Sequence, residues 1–145
     1  MNNLAANMAI VPDIAGTGKD VVQEDRALAI SEMSERFGVT LRTLRFYEEK
    51  GLLNPVRKGA RRSYGAQDVS RMQVILQAKK IGLTLVEIRR VIKLVEGNTS
   101  RTEQFKELHE ICRGQQEILV EQQQMLNEQM AEVEDILSSF NQLLS

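Results

Sequence analysis

Apolar residues recur along this chain at helical spacing, and glycines interrupt them at intervals. Met33 and Phe37 share one face, Ile30 leads in and Gly38 follows, which predicts a short helix capped by Ser31. Val39-Thr40 opens a second helix that runs to about Lys50, with Thr40 as N-cap and Val39 and Leu44 spaced as a hydrophobic staple. Two short helices joined by Gly38-Val39-Thr40 make a helix-turn-helix. Leu52–Tyr64 contains Pro55, Gly59 and four basic residues, which predicts a two-stranded hairpin with its tip near Lys58-Gly59-Ala60. From Gly65 to Ile81 the pattern is helical again: Val69, Met72, Leu76 and Ile81 lie near one face, and Asp68 supports the N-terminus. Thr84 and Glu87 form a capping box ahead of the stripe Leu85, Ile88, Val91/Ile92 and Val95, which Gly97 closes. Ser100 and Glu103 form a second box and open the last segment.

That last segment, about 101–144, carries a heptad. Phe105, Cys112, Leu119, Leu126, Val133 and Phe140 take the a positions; Leu108, Gln115, Gln122, Gln129, Ile136 and Leu143 take d. A helix of this length spans about 65 Å. No domain in so short a chain covers such a face, so a partner helix is expected, most simply from a second copy. The expected dimerisation residues are Phe105, Leu108, Cys112, Leu119, Leu126, Val133, Ile136 and Phe140. The heptad alone does not decide between parallel and antiparallel pairing. Residues 1–28 have no sustained period and read as a flexible tail, with a short ordered piece at Val21–Leu28. The expected architecture is mainly α. A winged helix-turn-helix over 29–97 is followed by a coiled-coil dimerisation helix over 98–145.

Charge changes the picture. The whole chain of 145 residues has a formal net charge of -1. Yet residues 30–93 carry fourteen basic and six acidic side chains, whereas residues 94–145 carry three basic and ten acidic. A basic block in a small domain is the footprint of a phosphate-backbone partner. Composition agrees with a folded, soluble chain: 42% of residues are hydrophobic and 27% charged. No apolar run approaches the roughly 20 residues of a membrane span, and no secretion signal opens the chain. A cytoplasmic location is the expectation. The single cysteine, Cys112, cannot form an internal disulfide.

The basic block offers specific chemistry. A recognition helix enters the major groove with its first turn near the base edges, and Thr40, Arg42 and Thr43 occupy that turn. Arginine holds guanine O6 and N7 through two hydrogen bonds, and threonine meets a thymine methyl or a phosphate. Arg45 follows one turn later, and Tyr47 either reaches a phosphate through its hydroxyl or packs. On the hairpin Arg61, Arg62 and Tyr64 are placed to grip the flanking backbone or minor groove. Arg57 and Lys58 either join them or only keep the loop tip soluble. Glu48 and Glu49 are expected to face solvent.

The stretch from Ile30 to Leu94 closely resembles the MerR family of bacterial transcriptional regulators. The likeness rests on Gly38-Val39-Thr40 and Arg42-Thr43-Leu44-Arg45-Phe46-Tyr47-Glu48. Gly51-Leu52-Leu53, Arg62-Ser63-Tyr64, Gln67-Asp68-Val69 and Lys80–Ile88 continue it in order. The wing departs from the commonest family pattern: Ala60-Arg61 stand where glycine and an aromatic usually precede the arginine. The resemblance implies a homodimer with antiparallel dimer helices on a pseudo-palindromic promoter site in double-stranded DNA. It also implies regulation through distortion of the promoter, with RNA polymerase as a further partner.

Other chemistry is sparse. Family members that sense metals or oxidants use several cysteines near the dimer helix, and Cys112 is alone. His109 has no second ligand one turn away, so no metal site is expected. About 45 residues follow Gly97, which leaves no room for a ligand-sensing domain. The expectation is the short form of the family, with no cofactor and no evident small-molecule effector. No nucleophile–base pair, paired carboxylates or phosphate loop suggests an enzyme. Two alternatives stay open: an architectural DNA-bending protein with weak sequence preference, and a coiled-coil adaptor that binds a protein partner.

Overall fold

A computed structural model describes residues 9–11 and 27–145. Its elements run β1 (Leu28–Ala29), α1 (Ile30–Phe37), α2 (Leu41–Glu49), β2 (Val56–Lys58), β3 (Arg61–Tyr64), α3 (Ala66–Lys80), α4 (Leu85–Glu96) and α5 (Arg101–Leu144). The chain divides into two compact units, Met1–Leu108 and His109–Ser145. The fold class is mainly helical, with a winged helix-turn-helix and a long C-terminal helix. Most of the ordered piece expected at Val21–Leu28 lies outside the described residues.

Local chemistry explains most boundaries. The α1 helix begins two residues earlier than a Ser31 cap requires: its N-cap is Ala29, whose N–H donates to Glu32 Oε1 at 3.1 Å. A carboxylate reaching back from the third helical position replaces the hydroxyl cap. Gly38 ends α1 with φ 63°, a left-handed conformation that a β-carbon makes costly. The chain thereby turns within three residues into α2. There Thr40 caps as expected, its hydroxyl accepting the Thr43 N–H at 3.1 Å. Thr84 and Glu87 close the reciprocal capping box of α4. At the head of α5 the Ser100 hydroxyl accepts the Glu103 N–H at 3.3 Å.

The hairpin forms with Lys58 opposite Arg61 and Gly59-Ala60 between them. It is not a free two-stranded wing. Leu28–Ala29 adds a third antiparallel strand beside β3, Leu28 pairing with Tyr64, in the order β1-β3-β2. Two residues give too little alternation to be visible as a strand in the sequence.

Met33, Leu44, Leu53, Tyr64, Met72, Ile75 and Val91 form the fully buried centre of the first unit. The α3 helix supplies more of it than a single stripe: Asp68, Val69, Met72, Val74, Ile75 and Ala78 are all buried, because β3 and α4 cover different sides of it. Leu76, expected in that core, is only half-buried. Ile10 is also buried, and its N–H donates to Gln77 Oε1 of α3 at 2.7 Å. In the second unit every residue from Gln116 onward is exposed. Among the described residues no helix is long and apolar enough to cross a membrane.

Candidate nucleic-acid interface

The helix-turn-helix and the wing meet around one carboxylate. Glu48 lies near the end of α2, four positions after Leu44, which anchors the inner face of that helix. Its side chain is only 10% exposed. Arg62 Nε donates to Glu48 Oε1 at 3.0 Å, the Tyr64 hydroxyl donates to Oε2 at 2.8 Å, and Arg57 Nη2 stands 4.0 Å from Oε1. The expectation of a solvent-facing Glu48 is therefore corrected: strand alternation turns Arg57, Arg62 and Tyr64 to one face, and that face looks at α2. Glu49 is exposed as expected.

This cluster sorts the expected DNA-binding residues. Arg42, Arg45, Arg57, Lys58 and Arg61 are exposed, and Arg62 is half-exposed. Arg42, Arg45, Lys58 and Arg61 engage no partner among the described residues. Thr40 is exposed and Thr43 half-exposed at the head of α2, where their hydroxyls meet at 2.9 Å. That bond, with the Thr43 N–H donated to Thr40, engages both hydroxyls within the first turn.

The two tyrosines stand apart. Tyr64 is fully buried and Tyr47 is 3% exposed, so neither offers its ring to a partner surface. Burial, and then the hydrogen bond to Glu48, push the Tyr64 phenol far above its ordinary range. It stays a neutral donor and ties β3 to α2. Tyr47 packs edge-on against Phe46, with ring centroids 5.5 Å apart. Phe46 itself is 44% exposed, and Lys50 Nζ lies 5.5 Å from its ring centre.

A cleft of about 350 Å³ opens between α2 and the wing, lined by Arg45, Glu48, Glu49, Arg57 and Arg62 and floored by Leu53. Its lining sets three arginines against two glutamates, of which Glu48 is the mostly buried one.

Several supports escaped sequence reading. Arg71 grips Glu96 with both Nε and Nη2, at 2.7 and 2.8 Å, and its Nη1 donates to the Leu52 carbonyl at 3.2 Å. It thereby joins α3, the end of α4 and the turn after α2. Asp68 accepts the Asn54 N–H at 2.9 Å and holds the base of the wing; burial raises its carboxyl above the usual aspartate range. Arg89 of α4 donates to the carbonyl of Lys50 at the end of α2. Gln104 donates to the Leu94 and Val95 carbonyls, at 2.6 and 3.3 Å, so a buried amide completes the end of α4. Each partner is distant in sequence or polar without a motif, so no local signal marks it.

The expected dimerisation residues fall into two sets. In the first unit Leu108 is already buried and Phe105 half-buried. In the second, Leu119, Leu126, Val133, Ile136 and Phe140 are each about half exposed, and Cys112 is an exposed free thiol. No group of three or more potential metal-holding side chains occurs among the described residues.

Comparison with known proteins gives the setting. The family model for MerR HTH family regulatory proteins matches residues 28–94, and the model described as MerR, DNA binding matches residues 69–143. The mercuric resistance operon regulatory protein of Pseudomonas fluorescens is 38% identical over 72 residues, 48% of this chain and 50% of that protein. The chain thus spans about half the length of the curated relatives it matches. Among solved structures, a MerR-family transcriptional regulator from Bacillus cereus superposes with a TM-score of 0.65 at 26% identity, over 79% of this chain and 83% of that one. The N-terminal part of MtaN, the multidrug transporter activator of Bacillus subtilis, gives 0.56 at 26% identity, over 76% and 97%.

Proposed function

The chain belongs to the MerR family of helix-turn-helix regulatory proteins, and on that premise we propose that it is a homodimeric, sequence-specific DNA-binding regulator of bacterial transcription. It acts in the cytoplasm and is not an enzyme. The observation that carries this is a set of exposed cations that engage no partner among the described residues, Arg42 and Arg45 on α2 and Lys58 and Arg61 at the wing tip. Arg42, in the first turn of α2, reads a base, and the wing cations with Arg45 hold phosphates. Thr40 and Thr43 offer their methyl groups to thymine. Tyr47 and Tyr64 serve from behind by fixing α2 against β3. The domains of the proposal are a tail over 1–28, whose last residue Leu28 enters the wing sheet through β1, the DNA-binding domain over 29–97 and the dimerisation helix over 98–145.

Two copies pair through α5. The distal apolar stripe from Leu119 to Phe140 is exposed along a single helix, and a matching helix from a second copy covers it. A two-fold dimer then meets a two-fold site, and DNA between the half-sites is distorted toward a form that RNA polymerase can use. Such deformation stores several kcal/mol and so responds to the protein's hold on each half-site.

Selection of bound fragments from random duplex DNA, with wild type beside Arg42→Ala at moderate salt, tests the reading. The expected outcome is an inverted repeat recovered by the wild type. Loss of Arg42 relaxes one position in each half-site, by about 1–3 kcal/mol of discrimination. Equal, sequence-blind recovery by both proteins rejects it in favour of an architectural DNA-binding role.

A further inference from the structure

A carboxylate in the middle of a phosphate-binding surface costs affinity, so Glu48 calls for an explanation. Arg57 and Arg62 are directly opposed across the β2–β3 ladder, an arrangement that like charges make unfavourable. Glu48 Oε1 lies near both, 4.0 Å from Arg57 Nη2 and 3.0 Å from Arg62 Nε. It thus relieves their repulsion and bonds the wing to α2. Because Arg62 spends its Nε on Glu48, its Nη1 and Nη2 remain without a partner among the described residues. A guanidinium held along one edge presents the other as a fixed two-pronged donor, the geometry that suits a phosphate.

We propose that Glu48 is a specificity-determining residue that acts by positioning Arg62 and Arg57. It fixes the wing cations for phosphates at one place relative to α2, and its charge penalises every other placement. The inference rests on the DNA-binding role proposed above. At a matched site the fork meets its phosphate while still bonded to Glu48. At a mismatched site Arg62 reaches a phosphate only by breaking its bond to a mostly buried carboxylate, which then keeps only the Tyr64 hydroxyl and the more distant Arg57. Glu48 therefore weakens non-specific binding more than specific binding.

The test uses the full chain and two duplexes of equal length, the fragment recovered by selection and one of random sequence. Affinities are measured over a range of salt. Glu48→Gln is expected to tighten binding to random DNA about tenfold and to steepen its salt slope by about one ion. Binding to the selected fragment should change little, so the specificity ratio falls about tenfold. Glu48→Asp keeps the charge and returns the slope and the ratio toward wild type. Equal weakening on both duplexes overturns the proposal, since that marks a purely structural support; an unchanged ratio overturns it too. If Glu48→Gln does not fold by circular dichroism, Arg62→Gln decides: the proposal requires a larger loss on the selected fragment than on random DNA, and an equal loss refutes it. A wild type that selects no sequence removes the DNA-reading role itself. A wild type that selects a site which Glu48→Gln selects as sharply removes only the role of Glu48.

Discussion

Asp68 shows how much one side chain can depend on its surroundings. It is 5% exposed, accepts the Asn54 N–H and lies at the N-terminus of α3. Burial is the largest influence on it and raises its carboxyl, while the N–H groups of Asn54 and Gly65 lower it in part. A carboxyl raised on folding favours the folded state when protonated, and that advantage fades as pH rises through the folded value. Acidification from neutral toward the ordinary aspartate range should therefore strengthen the wild type relative to Asp68→Asn. Denaturant melts of both proteins at neutral pH and near pH 4 (about the ordinary aspartate value) measure the gap, and a gap constant with pH would contradict the argument. Leu44 is a simpler case. It is fully buried on the inner face of α2, and Leu44→Ala should cost about 2–5 kcal/mol in the same melts. The sequence marked Leu44 as core by its staple position. It did not mark Glu48, whose partners lie 14 and 16 residues away.

At the scale of elements, helix ends were the most legible features. Caps join residues three apart, so Thr40 with Thr43 and Thr84 with Glu87 are written side by side in the chain. Thr40→Ala should lower stability by about 1 kcal/mol and fray the first turn of α2, which amide exchange at Arg42 and Thr43 would register. The wing tip depends on Gly59, held at φ 64°. A β-carbon there meets no neighbour within 4 Å, so the cost of Gly59→Ala is conformational alone, about 1 kcal/mol. Strand β1 was invisible for the opposite reason. Two residues carry no period, and Leu28–Ala29 becomes a strand only because β3 offers it an edge.

For the whole molecule the deciding feature is the distal part of α5, where Leu119, Leu126, Val133 and Phe140 are exposed at heptad spacing. Exposed stripes of this length signal association. Leu126→Glu with Val133→Glu should shift the proposed dimer to monomer in sedimentation velocity. DNA affinity should fall with it, since each domain then binds one half-site alone. A dimer that survives both substitutions would move the interface away from the heptad. Leu108 was grouped with these residues because periodicity cannot tell a face covered by the same chain from one covered by another. The structure buries Leu108 within its own chain and leaves Leu119 open.

The sequence by itself determined the order of the helices and the hairpin, most helix boundaries set by caps and glycines, and the basic middle and acidic end, while its motifs carried the family resemblance. All of these follow from neighbours within about a turn of helix or from composition along the chain. Only the tertiary structure decided that Tyr47 and Tyr64 lie inside and that Glu48 is enclosed by the wing. The same holds for Arg71, which locks Glu96 to the turn after α2, and for Gln104, which completes α4. In these cases the side chain's role is set by which distant groups crowd it and exclude water. A carboxylate or a tyrosine in a linear string carries no record of that company.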